Sequence, residues 1–522
     1  MRNTARAVCL VLMLGSTNWW AQVQGQGFTR RYDPIGLGEP QVAFAIERHP
    51  LGYMVFGATY VLLQNSDYYL TSVSVILDYS GQVLASDTAI VVDHYLSPGT
   101  WNTMSKRAVG GYVAGGSTLV EDDTKRFALL KVNDDGLITF VAQYGPQGEE
   151  LIGRQAIECK DLGFLMVGET GEVGVIDGLL IKTDSSGLLE WQRSYGEPLW
   201  RDYMSSVDTT MDDGFYTGGS YREGEENLQQ WVQRINSTGD TVWTKTWGSE
   251  FNDAPARITT KANGNVLTAS AWNYAPNSAA SQCYMAELDQ NTGEFNWQKW
   301  YGPVLNYTTL RVAKEIGPGV GHIATGMAFA ENSNFWQGIL LRTADNGDSL
   351  WMRRYFYYDS LMTDGQGELN DVVPTLDGGF MACGFTQGSY TGPYPPGYSQ
   401  DIWVVKVDSL GCIIPGCDDL TTVITVQATN LKNALVVYPN PAHGSTTVKV
   451  TLPAGLPAGG IGSPFVDDLR LRLVNAQGQE VLVQKAVVGE NNLAVEGEAA
   501  GLYYLHLTSG TTWLSGTKLI IE

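Results

Sequence analysis

Apolar and polar positions alternate in short segments along most of this chain. Between residues 154 and 196 the segments "RQAIEC", "GFLMVGE", "DGLLIKTD" and "LLEWQRSYG" follow one another, separated by stretches that contain Gly, Asp or Ser. Short segments with a period of two and turn residues between them predict antiparallel β-strands. The four segments therefore predict one four-stranded unit.

Two sequence markers show that this unit recurs about every fifty residues. The first is an aromatic or apolar residue followed four positions later by a small one, and it begins at Tyr53, Tyr112, Phe164, Phe215, Val266, His322 and Phe380. The second is a turn glycine that follows an apolar strand, at Gly81, Gly136, Gly187, Gly239, Gly293, Gly347 and Gly411. Both markers count seven units. The sequence therefore predicts an all-β fold, a seven-bladed β-propeller.

The two ends of the repeat region predict how the ring closes. The seventh unit runs into "VVKVDSLGCIIPGC" and lacks its fourth strand, whereas "GFTRRYD" at residues 27–33 resembles "EWQRSYG". We expect this N-terminal strand to complete the seventh blade, which removes an exposed sheet edge. Over residues 27–417 the repeats resemble those of exported bacterial β-propeller proteins. The resemblance implies the fold and leaves the activity open.

The N-terminus predicts export. Two arginines precede an apolar stretch and then small and polar residues, the pattern of a secretory signal peptide over residues 1–21. No later segment is long and apolar enough for a transmembrane helix. In an oxidising compartment we expect Cys412 and Cys417 to form a disulfide, and we interpret Cys159, Cys283 and Cys383 as buried thiols.

The C-terminal segment carries four separated motifs in a fixed order. These are Tyr438, Pro439, Asn440 and Pro441; the turn "NAQGQEV" at residues 475–481; Gly501, Leu502 and Tyr503; and Lys518 with the apolar residues that follow it. They resemble the type A C-terminal sorting domain of the type IX secretion system. The resemblance implies a small Ig-like β-sandwich over residues 435–522, after a linker at residues 418–434, and engagement with the type IX secretion machinery. It also implies localisation outside the outer membrane, either released or attached to the surface.

Composition narrows the function classes. The formal net charge of −22 argues against nucleic-acid partners. The sequence contains no GxSxG or HExxH motif, and its five histidines are dispersed. "LDQNTGEFNW" at residues 288–297 is similar to the structural docking motif of quinoprotein propellers, but this does not lead us to predict a quinone. We expect no cofactor; calcium at the acidic turn around Asp212 and Asp213 is the alternative to ordinary turn chemistry.

Loop variation points to one face of the propeller. Turns between the first and second strands and between the third and fourth strands nearly repeat, whereas the loops on the opposite face vary. On that variable face we predict a ligand-binding set of aromatic and acidic residues: Tyr390, Tyr394, Tyr398, Trp200, Asp202, Tyr203, Asp253 and Tyr307. Aromatic rings with carboxylates suit carbohydrate or peptide recognition.

The sequence therefore predicts a non-enzymatic, monomeric, exported binding or adhesion module for a glycan or a protein. Two alternatives are a propeller enzyme acting on extracellular polysaccharide, such as a glycosidase or lyase, and a structural surface component.

Overall fold

The computed structural model describes most of the chain as β-structure. The described residues are 27–34, 39–62, 68–89, 96–119, 124–145, 148–171, 176–197, 201–222, 227–329, 336–358, 366–389, 398–413, 427–431, 434–452, 469–475, 480–509 and 512–522. Within them the helical content is a single 3-10 turn at Pro276–Ser278. The all-β prediction is confirmed. The predicted signal peptide at residues 1–21 lies outside the described residues.

The strands up to residue 407 group into antiparallel sheets, which we number in chain order. The first strand, β1, covers Phe28–Tyr32. Sheet 1 contains β2 (Gln41–His49), β3 (Gly52–Leu62), β4 (Tyr68–Asp78) and β5 (Val83–Thr88). Sheet 2 contains β6 (Leu96–Pro98), β7 (Met104–Lys106), β8 (Tyr112–Leu119), β9 (Lys125–Val132) and β10 (Ile138–Tyr144). Sheet 3 contains β11 (Leu151–Glu158), β12 (Phe164–Thr170), β13 (Asp177–Thr183) and β14 (Leu189–Tyr195).

The remaining sheets of this region repeat the pattern. Sheet 4 contains β15 (Tyr203–Thr209), β16 (Phe215–Tyr221), β17 (Gln229–Ile235) and β18 (Thr241–Trp247). Sheet 5 contains β19 (Arg257–Thr260), β20 (Val266–Asn273), β21 (Ser281–Leu288) and β22 (Phe295–Leu305). Sheet 6 contains β23 (Thr309–Gly317), β24 (Gly321–Phe329), β25 (Trp336–Thr343) and β26 (Ser349–Tyr358). Sheet 7 contains β27 (Gln366–Pro374), β28 (Phe380–Ser389), β29 (Tyr398–Val407) and, at its edge, β1.

Apolar cores between successive sheets arrange these sheets in a ring. Each pair of neighbours shares a cluster of buried side chains, from sheets 1 and 2 through to sheets 6 and 7, and a further cluster joins sheet 7 to sheet 1. The first strands of successive sheets contact one another, so they lie innermost. This is the propeller arrangement, in which a sheet that cannot bury both faces alone packs against two neighbours.

The N-terminal strand closes the ring as the sequence predicts. β1 pairs antiparallel with β29 from Phe28 opposite Lys406 to Tyr32 opposite Ile402. The Trp403 indole donates a hydrogen bond of 2.8 Å to Thr29 Oγ1. The outer edge of sheet 7 is thus covered by a strand that is far away in sequence.

A tyrosine four residues after a tryptophan or phenylalanine acts as a clamp between sheets. The hydroxyl of this tyrosine, on the outermost strand of one sheet, donates to the carbonyl of the turn glycine in the next sheet. The pairs are Tyr144 with Gly187 (2.6 Å), Tyr195 with Gly239, Tyr301 with Gly347 and Tyr355 with Gly411 (each 2.7 Å), and Tyr32 with Gly81 (2.8 Å). Since β1 supplies Tyr32, the same clamp also spans the junction that closes the ring.

The turn glycines are required both by conformation and by close packing. Gly347 has φ +80°, and a Cβ atom placed on it would lie 2.8 Å from Cε3 of Trp297 in the preceding sheet. Gly293 packs in the same way against Trp243. Only glycine combines a left-handed backbone with the absence of a side chain. The repeated motif is therefore a structural unit of the ring.

The acidic turns on the nearly repeated face also serve the fold. Asp161 forms a 2.7 Å ion pair with Lys182, and Asp212 forms a 2.6 Å pair with Arg234. Asp377 pairs with Lys406 at 2.6 Å. No group of three or more His, Cys, Asp or Glu side chains is placed to hold a metal ion in the described part of the chain.

The buried cysteines lie in these cores. Cys159, Cys283 and Cys383 are buried free thiols. Cys412 is disulfide-bonded. Its predicted partner, Cys417, lies outside the described residues, so that pairing stays a prediction.

The C-terminal strands form two sheets around a separate core. The strands are β30 (Gln427–Leu431), β31 (Leu435–His443), β32 (Ser445–Val450), β33 (Leu469–Asn475), β34 (Glu480–Lys485), β35 (Gly489–Ala494), β36 (Gly501–Ser509) and β37 (Thr512–Ile521). β31, β32 and β35 form one layer and β34, β33, β36 and β37 the other, and both contribute to one leucine- and valine-rich cluster. Within the predicted linker, β30 pairs in parallel with β26 of sheet 6 and contacts β37.

We expect two similar glycine substitutions to lower the free energy of unfolding by different amounts. Gly347→Ala forces a side chain into a left-handed backbone and against Trp297, whereas Gly378 has φ +83° with nothing within 4 Å of its Cβ position. Backbone strain costs about 1–2 kcal/mol at each site. Displacing Trp297 adds about 1–3 kcal/mol at Gly347 alone. Chemical denaturation should show this difference in unfolding free energy, and equal losses for Gly347→Ala and Gly378→Ala would contradict the clamp.

Candidate functional site: an arginine-lined axial cavity

A β-bulge recurs in the innermost strand of several sheets. The pairing register skips one residue on β2, β11, β15, β23 and β27; the skipped residues are Phe44, Arg154, Ser205, Arg311 and Asn370. A bulge breaks the strict alternation of a strand and re-aims a side chain. Three of the bulged residues, Arg154, Ser205 and Arg311, line the same cavity.

That cavity has a volume of about 350 Å³ and lies where the innermost strands begin. Residues from sheets 2 to 6 and their connecting segments line it, so it belongs to the variable-loop face. Its chemistry comes from four cations, three aromatic rings and one carboxylate: Arg154, Arg201, Arg257, Arg311, Trp101, Tyr203, Tyr307 and Asp253. Asn252, Asn273 and Thr308 add neutral polar groups.

Trp101 connects one side of the ring to the other. It lies in the turn between β6 and β7 of sheet 2, and its ring lies 4.0 Å from the Arg257 guanidinium carbon and 4.5 Å from that of Arg311. Its indole N–H donates to Glu368 Oε1 of sheet 7 at 3.2 Å. Stacking on an indole face stabilises a guanidinium. Trp101 therefore organises residues from sheets 5, 6 and 7.

Backbone strain concentrates at this cavity. Among the described residues, non-glycine residues with positive φ are Trp101, Asn102, Asn277, Ser278 and Tyr307, together with Leu162 and Asp213. The first five line the cavity or adjoin a lining residue, whereas the last two lie in turns on the opposite face. Each such residue costs about 1–3 kcal/mol, and strained residues of this kind cluster at functional sites.

Arg257 is a buried cation that forms no ion pair with a carboxylate of the described residues. It is 5% exposed, and its Nε and Nη1 atoms have no hydrogen-bond partner among the described residues. Burial, and then the charge of Arg311, lower the pKa of Arg257 to about 9, so it stays charged at neutral pH. Arg311 differs because it forms a 2.6 Å ion pair with Glu368. An unpaired buried charge costs several kcal/mol.

Three of the predicted site residues meet in this cavity. Tyr203, Asp253 and Tyr307 all line it, and Tyr307 is 43% exposed at its edge. Trp200, Tyr390 and Tyr394 lie outside the described residues. Tyr398 begins β29, and its side chain is likewise outside the described part.

Asp202 and Asp253 hold the crossovers between sheets. Asp202 is fully buried; its carboxylate accepts hydrogen bonds from the backbone N–H groups of Glu197 (2.7 Å) and Arg222 (2.5 Å). Asp253 accepts from the backbone N–H groups of Ser249 (2.5 Å) and Asn273 (2.8 Å) in the equivalent arrangement. Both carboxylates therefore have a structural task, and only Asp253 also lines the cavity.

The arginines are the site residues that sequence reasoning missed. Arg154 and Arg311 lie within innermost strands, where the regular alternation of a strand gives no reason to assign them to a ligand site. Aligning the repeats could have found them, because Arg154, Ser205 and Arg311 occupy the same position, which is the position of the bulge. Arg257 begins β19, and nothing local distinguishes it from other strand-initial residues.

In the C-terminal region, two of the predicted sorting motifs meet in space. The Asn440 side chain donates to the Lys518 carbonyl at 2.8 Å and accepts from the Ile520 N–H at 2.9 Å. It thereby joins the segment from Tyr438 to Pro441 to the terminal strand β37. The Tyr503 hydroxyl donates to the Ala499 carbonyl at 2.7 Å, and Leu502 pairs with Ile520.

Comparison with known families identifies this C-terminal region. Residues 436–522 match the family model described as a secretion system C-terminal sorting domain. The match agrees with the predicted resemblance and indicates secretion across the outer membrane to the cell surface or the extracellular space. It also implies engagement with the secretion machinery. No helix of the described residues is long and apolar enough to span a membrane.

Solved structures similar to this chain include proteins with different roles. An ulvan lyase, which is a polysaccharide lyase, has a TM-score of 0.44 and 11% identity, covering 72% of this chain and 96% of its own. The phage phi92 endosialidase has a TM-score of 0.41 and 10% identity, covering 95% and 87%. The WD40 domain of SCAP from fission yeast has a TM-score of 0.36 and 8% identity, covering 73% and 98%. No match was found among curated protein sequences.

Asp253 predicts a defined pH dependence of stability. Burial raises its pKa to about 6 from 3.8, so between these values the folded state holds a proton that the unfolded state releases. Raising the pH from about 4 to 6 should therefore weaken folding by about 3 kcal/mol through this residue, and Asp253→Asn should remove that component.

Urea unfolding at several pH values measures this dependence. Asp240→Asn is the control, because hydrogen bonding with Arg193 lowers the pKa of Asp240 to about 2 and its stabilising effect is lost only as pH falls below about 4. A slope between pH 4 and 6 that is identical in wild type and Asp253→Asn would contradict the assignment.

We predict that the hydrogen bonds between Asn440 and the terminal strand β37 are needed for efficient secretion. Asn440→Ala removes two hydrogen bonds to β37 and should destabilise the C-terminal sheets by about 2 kcal/mol. In the native host we expect less protein in the medium or on the cell surface and more in the periplasm. Asn492→Ala, at an exposed asparagine of β35, is the matched control. Unchanged secretion of Asn440→Ala would argue against this role.

Proposed function

We propose that this protein is a secreted binding module whose propeller captures an extracellular ligand in the axial cavity. The observation that carries the proposal is the convergence of strained backbone and bulge-directed side chains from several sheets on one cavity. Ring closure depends mainly on β1 and the outer clamps. Two bulged residues also bridge neighbouring sheets, because the Asn370 side chain donates to the Ala43 carbonyl at 2.8 Å and Arg311 pairs with Glu368. Strained residues that cluster at one cavity nevertheless favour a functional origin.

A glycan is the ligand class that we favour over a protein. The cavity of about 350 Å³ has the size of a small-ligand pocket. Tyr203 and Tyr307 offer ring faces at its edge, and Asn252, Asn273 and Thr308 offer hydrogen-bonding groups. Rings that stack on sugar faces, with amides and hydroxyls beside them, suit a polyhydroxylated ligand.

The residues that line the axial cavity fit a binding protein better than they fit a glycosidase. Glycosidases typically use a pair of carboxylates on either side of the bond that is cleaved. Among the described lining residues the one carboxylate is Asp253, and its oxygens accept backbone hydrogen bonds. We therefore favour a binding protein over a glycosidase; turnover of a polysaccharide with formation of an unsaturated product would support the lyase alternative instead.

Tyr307→Gly tests the proposed function. Glycine suits the φ of 45° at this position, so the variant removes the ring without adding backbone strain. We expect at least a tenfold loss of retention on immobilised glycan and matrix panels, corresponding to about 1.4 kcal/mol of ring contact.

The control for this test is Tyr79→Ala. Tyr79 is also 43% exposed but lies next to the turn glycine Gly81, on the opposite face. Equal losses for both variants, or no loss for Tyr307→Gly, would overturn the cavity as the binding site. Joint replacement of Tyr390, Tyr394 and Tyr398 measures whether the predicted loop adds to retention.

A further inference from the structure

The polar atoms of the axial cavity include several that have no hydrogen-bond partner among the described residues. They are Nε and Nη1 of Arg257, Nε of Arg154, Oδ1 of Asn273, Oγ1 of Thr308 and Oγ1 of Thr100. Buried polar atoms in proteins are nearly always satisfied by protein, water or ligand. All of these atoms belong to residues that line one cavity, where a polar ligand can complete their hydrogen bonding.

The charges within the cavity are unevenly compensated. Glu368 pairs with Arg311, and Glu169 pairs with Arg154. Arg257 and Arg201 form no ion pair among the described residues; each instead contacts an aromatic ring, Trp101 for Arg257 and Tyr203 for Arg201. Two guanidinium groups are therefore available to an anion.

This positive site lies in a protein of formal net charge −22. Long-range attraction of polyanions is unfavourable for such a chain, so an anion must gain its binding energy from short-range contacts. A guanidinium binds a carboxylate or a sulfate through two parallel N–H donors. The ammonium group of a lysine cannot provide this planar, two-point geometry.

We infer that the ligand of the axial cavity is an acidic sugar, whose carboxylate or sulfate group binds Arg257 while its hydroxyl groups bind Asn273 and Thr308. The inference rests on the proposed function and specifies its ligand. Arg201, at the exposed edge, supplies a second contact to the same anion or to the next charged sugar of a chain.

The test compares three galactose-based probes by isothermal titration calorimetry on the full chain. The probes are oligogalacturonate for the carboxylate, carrageenan oligosaccharide for the sulfate and a neutral galacto-oligosaccharide. We expect one charged probe to bind, with an affinity that falls as salt rises, and the neutral probe to bind at least tenfold more weakly. The stronger of the two charged probes identifies the anionic group.

Arg257→Met should weaken binding of that charged probe by about tenfold to a hundredfold, whereas Arg257→Lys should lose less. Arg193→Met is the matched control, because Arg193 lies on the outer strand β14 and pairs there with Asp240. Without ligand, Arg257→Met should melt no lower than wild type, since it removes an unpaired buried charge. A clearly lower melting temperature would indicate a structural role and count against the inference.

Other outcomes separate the inference from the proposed function. Equal binding of neutral and charged probes, unchanged affinity in Arg257→Met, or no binding of either charged probe would overturn the acidic-sugar inference. If Tyr307→Gly still abolishes retention of another ligand, the proposed function stands. If Tyr307→Gly has no effect on any ligand, the proposed function fails as well.

Discussion

The constraint on which this structure depends is that every sheet must be covered on both faces, so the ring has to close. β1 meets this constraint by pairing with β29, and its Tyr32 hydroxyl holds the turn carbonyl of sheet 1 in the manner used elsewhere around the ring. Where the tyrosine is missing, other turn contacts occur: Ser74 donates to the Gly136 carbonyl at 2.5 Å, and Trp243 donates at 3.1 Å to the carbonyl of Gln290, three residues before the turn glycine Gly293. At each of these junctions a side chain therefore holds a turn carbonyl of the next sheet, although the donor and the carbonyl can both change.

A ring clamped at its periphery leaves its innermost strands free to vary. The inner strands contact their neighbours through hydrogen bonds between side chains and backbone, such as those from the Val207 N–H to Gln155 Oε1 and from the Ile46 N–H to Asp371 Oδ2 (both 2.9 Å). Bulges interrupt the pairing beside these contacts and turn side chains such as Arg154 and Arg311 toward the axis. The clamps that close the ring thus lie on the outer strands, whereas the proposed binding site lies on the inner strands of the same sheets.

The sequence predicted the parts of this fold that local rules determine. Period-two strands, turn glycines and the likeness of residues 27–33 to the fourth strand of a unit predicted the all-β fold and the role of β1. Tyr203, Asp253 and Tyr307 were predicted from loop variation on one face, and they line the axial cavity; their role in binding stays a prediction. Arg257 and Trp101 could not be found in this way, because their meeting joins sheets 5 and 2 across the axis. Asp202 was predicted to face a ligand, yet its oxygens hold a crossover, a role visible only when its N–H donors are known.

The proposed ligand also accounts for Arg257, a buried cation that has no ion-pair partner among the described residues of this acidic exported protein. A folded protein gains stability when such a charge is replaced by an apolar side chain, so selection for stability alone would remove Arg257. Trp101 lowers the cost by stacking on the guanidinium, but it occupies a left-handed backbone conformation to do so, which adds strain of its own. Two unfavourable features that support each other at one cavity support our proposal that this cavity is a preorganised binding site. An anion that enters this cavity meets donors that are already oriented, so it binds without a further cost of ordering them.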